Sequence, residues 1–146
     1  MKLVLAALAA ASLATATQAA PKVEAAWTRP AGQGQTGAGF MTLRNPDGKP
    51  DALVSVQSPA ARTVQIHQSS MSGGMASMKM LPSVPVPAGG AVTFAPGGYH
   101  LMFLGLTRAV KAGDVLPATL TFASGAKVNT SFVAGMGPPS AAEHHH

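Results

Sequence analysis

His67, Met78, His100 and Met102 are the residues of this 146-residue chain whose types and spacing suit a common chemistry. Ten residues separate the first from the second, twenty-one the second from the third, and one the third from the fourth. Brought together, two imidazoles and two thioethers make a soft, neutral donor set. Thioether sulfur discriminates toward Cu(I), imidazole tolerates it, and neither offers the oxygen that Mg, Ca or Mn prefer. Zinc would want thiolate or carboxylate beside its histidines. The chain has no cysteine, which excludes the His₂Cys arrangement of blue copper and argues against electron transfer. A thioether has no proton to lose, so only the histidines must be neutral. Affinity is therefore expected to fall on acidification near the imidazole range.

Two segments must position these donors. Pro96-Gly97-Gly98 reads as a turn into the strand Tyr99-His100-Leu101-Met102-Phe103-Leu104, where alternation sends His100 and Met102 one way and Tyr99, Leu101 and Phe103 the other. Taken alone, that pair also fits a half-buried satisfied histidine beside a core methionine. Upstream, residues 62–67 read as a strand with Val64 and Ile66 facing one way and His67, at its end, facing the other, exposed and available. Residues 68–80 follow, with Met71, Met75, Met78 and Met80 among Ser and Gly. They hold half of the eight methionines, and neighbours so small and polar cannot build an apolar layer. This stretch is expected to be an exposed, mobile methionine-rich loop; the bland reading gives it no role.

The remaining chain supplies a scaffold of strands. Short runs are expected at 22–27, 38–45, 51–57, 91–94, 115–123 and 127–133, separated by Asn45-Pro46-Asp47-Gly48, Ala88-Gly89-Gly90, Lys111-Ala112-Gly113-Asp114 and Ser124-Gly125 turns. Trp27, the only tryptophan, is expected to anchor the core, and Leu53 to lie in opposite phase to Val54 and Val56. Phe40 and Met41 read as packing rather than ligation. No window has a helical period, and strands recur at intervals of about eight to twelve residues, the pattern of an all-β sandwich or barrel with Greek-key connections.

Composition bounds the function. The length suits one domain. The net charge of +5 comes from scattered Lys and Arg, with only 10% of residues charged, so no basic run offers a nucleic-acid surface. Lys2, the apolar stretch at 3–13 and Thr17-Gln18-Ala19 have the form of a secretory signal over 1–19, too short for a stable membrane span. No lipidation cysteine follows it, and export without cysteine implies a fold that uses no disulfides. The five acids are placed in turns and termini or apart from any serine–histidine grouping, which leaves no nucleophile relay and points away from an enzyme.

The spacing His-x10-Met-x21-His-x-Met carried by His67, Met78, His100 and Met102 resembles that of the PCuAC family of periplasmic copper chaperones. Ala26-Trp27, residues 40–45, Pro87-Ala88-Gly89-Gly90, residues 96–102 and Gly105-Leu106 extend the likeness over about 23–133. The resemblance implies a cupredoxin-like Greek-key β-sandwich over residues 20–134, with Cu(I) held near one surface by those four positions. It also implies delivery of copper to the Cu_A centre of cytochrome c oxidase, with subunit II or a Sco-type protein as acceptor. A monomer is expected, with no nucleic-acid partner and no stable membrane insertion. The family's Met-x-Met pair commonly ends at the ligand position, whereas here it begins there, as Met78-Lys79-Met80. By count Met78 is the ligand; Met80 and Met75 stay open as substitutes, with Met71 as a further auxiliary donor.

Residues 135–146 follow the last strand through Gly137-Pro138-Pro139 and end in Glu143-His144-His145-His146, so they read as a flexible tail. Two readings stand for the terminal histidines. Relatives often carry His- and Met-rich tails, which implies a Cu(II) capture site at His144, His145 and His146; the same pattern is that of a purification tag. Three other functions compete with a dedicated chaperone: a copper buffer with no fixed acceptor, a metal-free structural or adhesion sandwich, and a copper or zinc enzyme.

Overall fold

The computed structural model describes residues 19–139 and is all-β there. The secretory-signal residues 1–18 and the tail residues 140–146, with His144, His145 and His146, lie outside the described residues. Among the described residues no helix is long and apolar enough to cross a membrane.

Ten strands run in chain order: β1 (Lys22–Thr28), β2 (Gly37–Arg44), β3 (Asp51–Gln57), β4 (Ala61–Ser72), β5 (Met75–Leu81), β6 (Val84–Val86), β7 (Ala91–Phe94), β8 (Tyr99–Leu106), β9 (Val115–Phe122) and β10 (Lys127–Ala134). They hydrogen-bond in the order β5-β4-β8-β2-β1-β10-β9-β3-β6, with β7 paired to β2. All pairs are antiparallel except β1 with β10, which run parallel. The expected β-sandwich is the one observed. Its inner layer joins elements that are not neighbours in the sheet: Phe103 of β8 meets Phe132 of β10 edge-on, ring centroids 5.4 Å apart. Leu43, Leu53, Leu101, Leu116 and Leu120 are wholly buried in the same core, so Leu and Phe fill most of it, with Met41 the one methionine of the cluster.

Three expectations are corrected. First, residues 68–80 do not form a loop. β4 continues through them to Ser72, turns at Gly73-Gly74, both at positive φ (59° and 79°), and returns as β5. A two-residue Gly-Gly turn of this hand matches the twist of the strands it joins. The backbone ladder from Ile66↔Leu81 to Ser72↔Met75 and a 2.9 Å bond between the Ser70 and Ser77 hydroxyls hold a hairpin that side-chain composition disfavours. Second, Trp27 is buried but not in the core cluster. The register of β1 on β2 slips between Glu24 and Trp27, where Ala25 has φ 51°. This bulge inserts one residue, so Trp27 leaves the phase of Val23 and stacks on Phe40 on the outer face, ring centroids 4.7 Å apart. Third, a register slip between Leu53 and Ser55 lets Leu53 and Val56 both face inward while Val54 stays 39% exposed. The short strand β6 was also hidden from the sequence, because Pro85 lies within it.

Backbone crowding fixes where β8 lies. Gly39 of β2 faces inward beneath the Phe103 ring, and a Cβ there would stand 2.5 Å from a ring carbon. At the far end, Asp51 closes the β3–β9 corner. It accepts from Ser124 Oγ (2.6 Å), the Ala52 amide (2.8 Å) and the Ser124 amide (3.0 Å). Burial pushes its carboxyl upward, but these three bonds together outweigh burial and hold it below the ordinary value of 3.8.

Two tests follow from these contacts. Gly39→Ala is expected to destabilise the fold by about 1–3 kcal/mol in chemical denaturation, because Phe103 is pinned by Phe132. Since the Asp51 pKa is lower in the folded chain, its contribution is complete above the unfolded aspartate value and lost as pH falls through the folded one. Asp51→Ala should therefore lower stability at neutral pH by about 1.5–3 kcal/mol, and thermal melts of the variant and the parent should converge as pH drops below the carboxylate range.

Candidate metal centre

The outer face of the β5-β4-β8 strip carries the donors in three cross-strand rows. His67 of β4 pairs directly with His100 of β8 on one side and with Met80 of β5 on the other. Met78 pairs with Ser69 in the next row toward the hairpin tip, and Met102 pairs with Gln65 and with Ala38 of β2 in the row behind. Residues paired directly in an antiparallel ladder share a face. His67, Met78, Met80, His100 and Met102 therefore all stand on one side of the sheet, and Met71 joins them two places beyond Ser69. Met75, opposite Ser72, is on the other side.

Burial grades this face from the middle outward. His100 is 5% exposed, unlike a surface histidine, and His67 is half-buried in mid-strand rather than exposed at a strand end. The two rings lie 5.7 Å apart between centroids. Met78 and Met80 are 56% and 60% exposed, and Met71 72%. Met41, by contrast, is sealed in the core at 2%. A cavity of about 270 Å³ opens beside His100 and Met102, bounded by Met78, Phe40, Arg29 and the Pro96-Gly97 turn. Met80 and His67 lie outside its lining.

Each imidazole has one nitrogen engaged and one bare. His100 Nδ1 donates to the Gly98 carbonyl at 3.2 Å, which in the neutral ring leaves Nε2 as an acceptor, buried and without a partner among the described residues. His67 Nε2 donates to Gln65 Oε1 at 2.9 Å, which leaves Nδ1 buried and bare in the same way. Burial first, and the neighbouring His100 second, hold the His67 pKa below the ordinary histidine value, so the ring stays neutral and its lone pair free. Two unpartnered buried acceptors on adjacent strands are costly unless something electrophilic meets them.

The donor chemistry restricts what that could be. Among the described residues no group of three His, Cys, Asp or Glu side chains gathers, and the donors beside the imidazoles on this face are thioether sulfurs. The set fits a soft monovalent cation and not a hard divalent one. Gln65 is the residue holding a candidate ligand that sequence reading missed. A glutamine two places before a histidine carries no signal in one dimension, and its role shows only once β4 is drawn as a strand.

The chain matches the model of the LpqE-like family, described as putative lipoprotein LpqE-like, over residues 21–134. A putative lipoprotein, Lxx21020 of Leifsonia xyli subsp. xyli, is 34% identical over 105 residues, covering 71% of this chain. The match spans 63% of that relative's length, less than two thirds of it. Among solved structures, the solution structure of CuI-DR1885 from Deinococcus radiodurans has a TM-score of 0.61 and 32% identity, covering 86% of this chain and 85% of its own. A copper-bound PCuAC domain from PmoF2 has a TM-score of 0.66 and 25% identity, covering 82% and 93%. The apo PCuAC domain from PmoF1, at 24% identity and a TM-score of 0.66, agrees in fold. The chain belongs to the LpqE-like family, and its domain is of the PCuAC type.

Proposed function

We propose that this protein binds one Cu(I) ion tightly through His67 Nδ1, His100 Nε2 and the thioethers of Met102 and Met78, and passes it to an acceptor. The observation that carries this reading is the pair of buried imidazole nitrogens, each stripped of partners while its ring is fixed from behind. PCuAC domains bind copper, and a Cu(I) form of DR1885 and a copper-bound PmoF2 domain support the same cargo here. The resemblance to the PCuAC copper chaperones supports a carrier rather than an enzyme. The family and relative descriptions support an exported protein, and the periplasm is the compartment proposed.

Ligand roles divide by rigidity. His100 and Met102 are fixed in β8, with Gly98 and Gln65 orienting the imidazoles. Met78 is the exposed donor, so an incoming ligand can approach the ion on its side without disturbing the others. Met78 is preferred to Met80 because it lines the cavity with His100 and Met102. The acceptor proposed is the Cu_A site of cytochrome c oxidase, reached through subunit II or a Sco-type protein. Transfer to an apo oxidase subunit faster than free dissociation allows would support a dedicated acceptor over simple buffering.

An anaerobic Cu(I) titration against a competing chelator tests the ligand set. The parent should hold one ion tightly. His100→Ala and Met78→Leu should each weaken that ion strongly, and Met80→Leu should leave it nearly as tight. Unchanged binding in Met78→Leu would move the ligand to Met80, since Met75 faces the other side of the hairpin. Gln65→Ala, which touches no metal in this reading, should weaken binding by about 10–100-fold, the usual cost of losing a partner that orients a ligand.

A further inference from the structure

Met78 borders two cavities, not one. Beyond it toward the hairpin tip lies a second depression of about 310 Å³, lined by Met71 and Met78 and sharing Ser69 and Gly97 with the first. The cross-strand register explains why it is there. Met71 stands opposite Ala76 and Ser69 opposite Met78, so the two large side chains occupy one diagonal of a four-residue square and the two smallest the other. Diagonal neighbours on a sheet face have Cβ atoms about 7–8 Å apart or somewhat less, within reach of two unbranched thioether side chains. The square sits on a backbone that cannot easily part, since the ladder and the Ser70–Ser77 bond hold the hairpin together.

We propose that Met71 and Met78 form a second, thioether-only site for a soft monovalent cation, and that Met78 is the ligand shared between it and the imidazole site. The inference rests on the Cu(I) reading above. Lacking imidazole and lying 72% and 56% exposed, this ledge binds more weakly than the inner site. It fills only after the inner site or in passing. During transfer a bond from copper to Met71 Sδ forms and the bond to Met78 Sδ is kept, while the bonds to His67 Nδ1, His100 Nε2 and Met102 Sδ break in turn. The ion stays monovalent and no electron moves. The ledge thereby presents copper at the rim of the fold, where an acceptor's sulfur can reach it.

Met75 provides the control. It is as exposed as Met71, at 74%, and one position from the same turn, but it faces the other side of the hairpin. The mature full-length protein carrying ¹³C-methyl methionine should be titrated anaerobically with Cu(I) and followed by NMR. The first equivalent is expected to move the Met102 and Met78 methyls, and further copper to move Met71 with a second step at Met78. Met71→Leu should abolish that second step, keep the first, and slow copper release to bathocuproine disulfonate; Met75→Leu should do none of these. A Met71 methyl that stays still up to three equivalents while Met102 moves would overturn this proposal alone. So would equal slowing by Met75→Leu. If Met102 does not move with the first equivalent, the copper reading falls and this one with it.

Discussion

The direct cross-strand pairing of His67 with His100 is the constraint on which the rest of this structure depends. Two imidazoles side by side on a sheet are ordinarily an exposed pair that water satisfies. Here the Gly98 carbonyl and the Gln65 side chain take one nitrogen of each ring, and burial removes water from the other. Each ring is left with a buried acceptor that no group among the described residues meets, a deficit that a bound ion would fill. In the proposed site the sulfur donors arranged around the pair would decide which ion is accepted, since the imidazoles alone would serve many metals.

Segregation of the two faces of the sheet makes this possible. The inner face is a conventional apolar layer of Leu, Phe and Val, and it carries the stability. The outer face is thereby freed from packing duty over β5, β4 and β8, and its methionines can be exposed without weakening the core. Phe40 walls the site from the β2 side, with Trp27 of β1 stacked against it and Arg29 lying over the Phe40 ring at 5.3 Å. The turn that opens β8 supplies Pro96 and Gly97 to the same cavity, so one connection both starts the strand and shapes the space above it.

Much of this was legible in one dimension because β8 alternates cleanly. Leu101 and Phe103 against His100 and Met102 is a period-two pattern with no interruption, and β7 and β10 read in the same way. What failed did so for identifiable reasons. Residues 68–80 lack the branched and aromatic side chains that mark strands, and their pairing rests on backbone bonds and a Gly-Gly turn. The phases of Trp27 and Val56 depend on bulges, each a single residue whose effect is a displacement in register rather than any change of composition. Spacing nominated both Met78 and Met80, and strand geometry puts both on the same face; only the lining of the cavity, which includes Met78 and not Met80, separates them.

The extra residue at Ala25 has an optical corollary. By turning the chain's single indole outward onto the ring of Phe40, itself a wall of the cavity, it installs a fluorophore one side chain away from whatever occupies that space. Had β1 run without interruption, that light-emitting group would have been sealed among leucines and blind to the cargo.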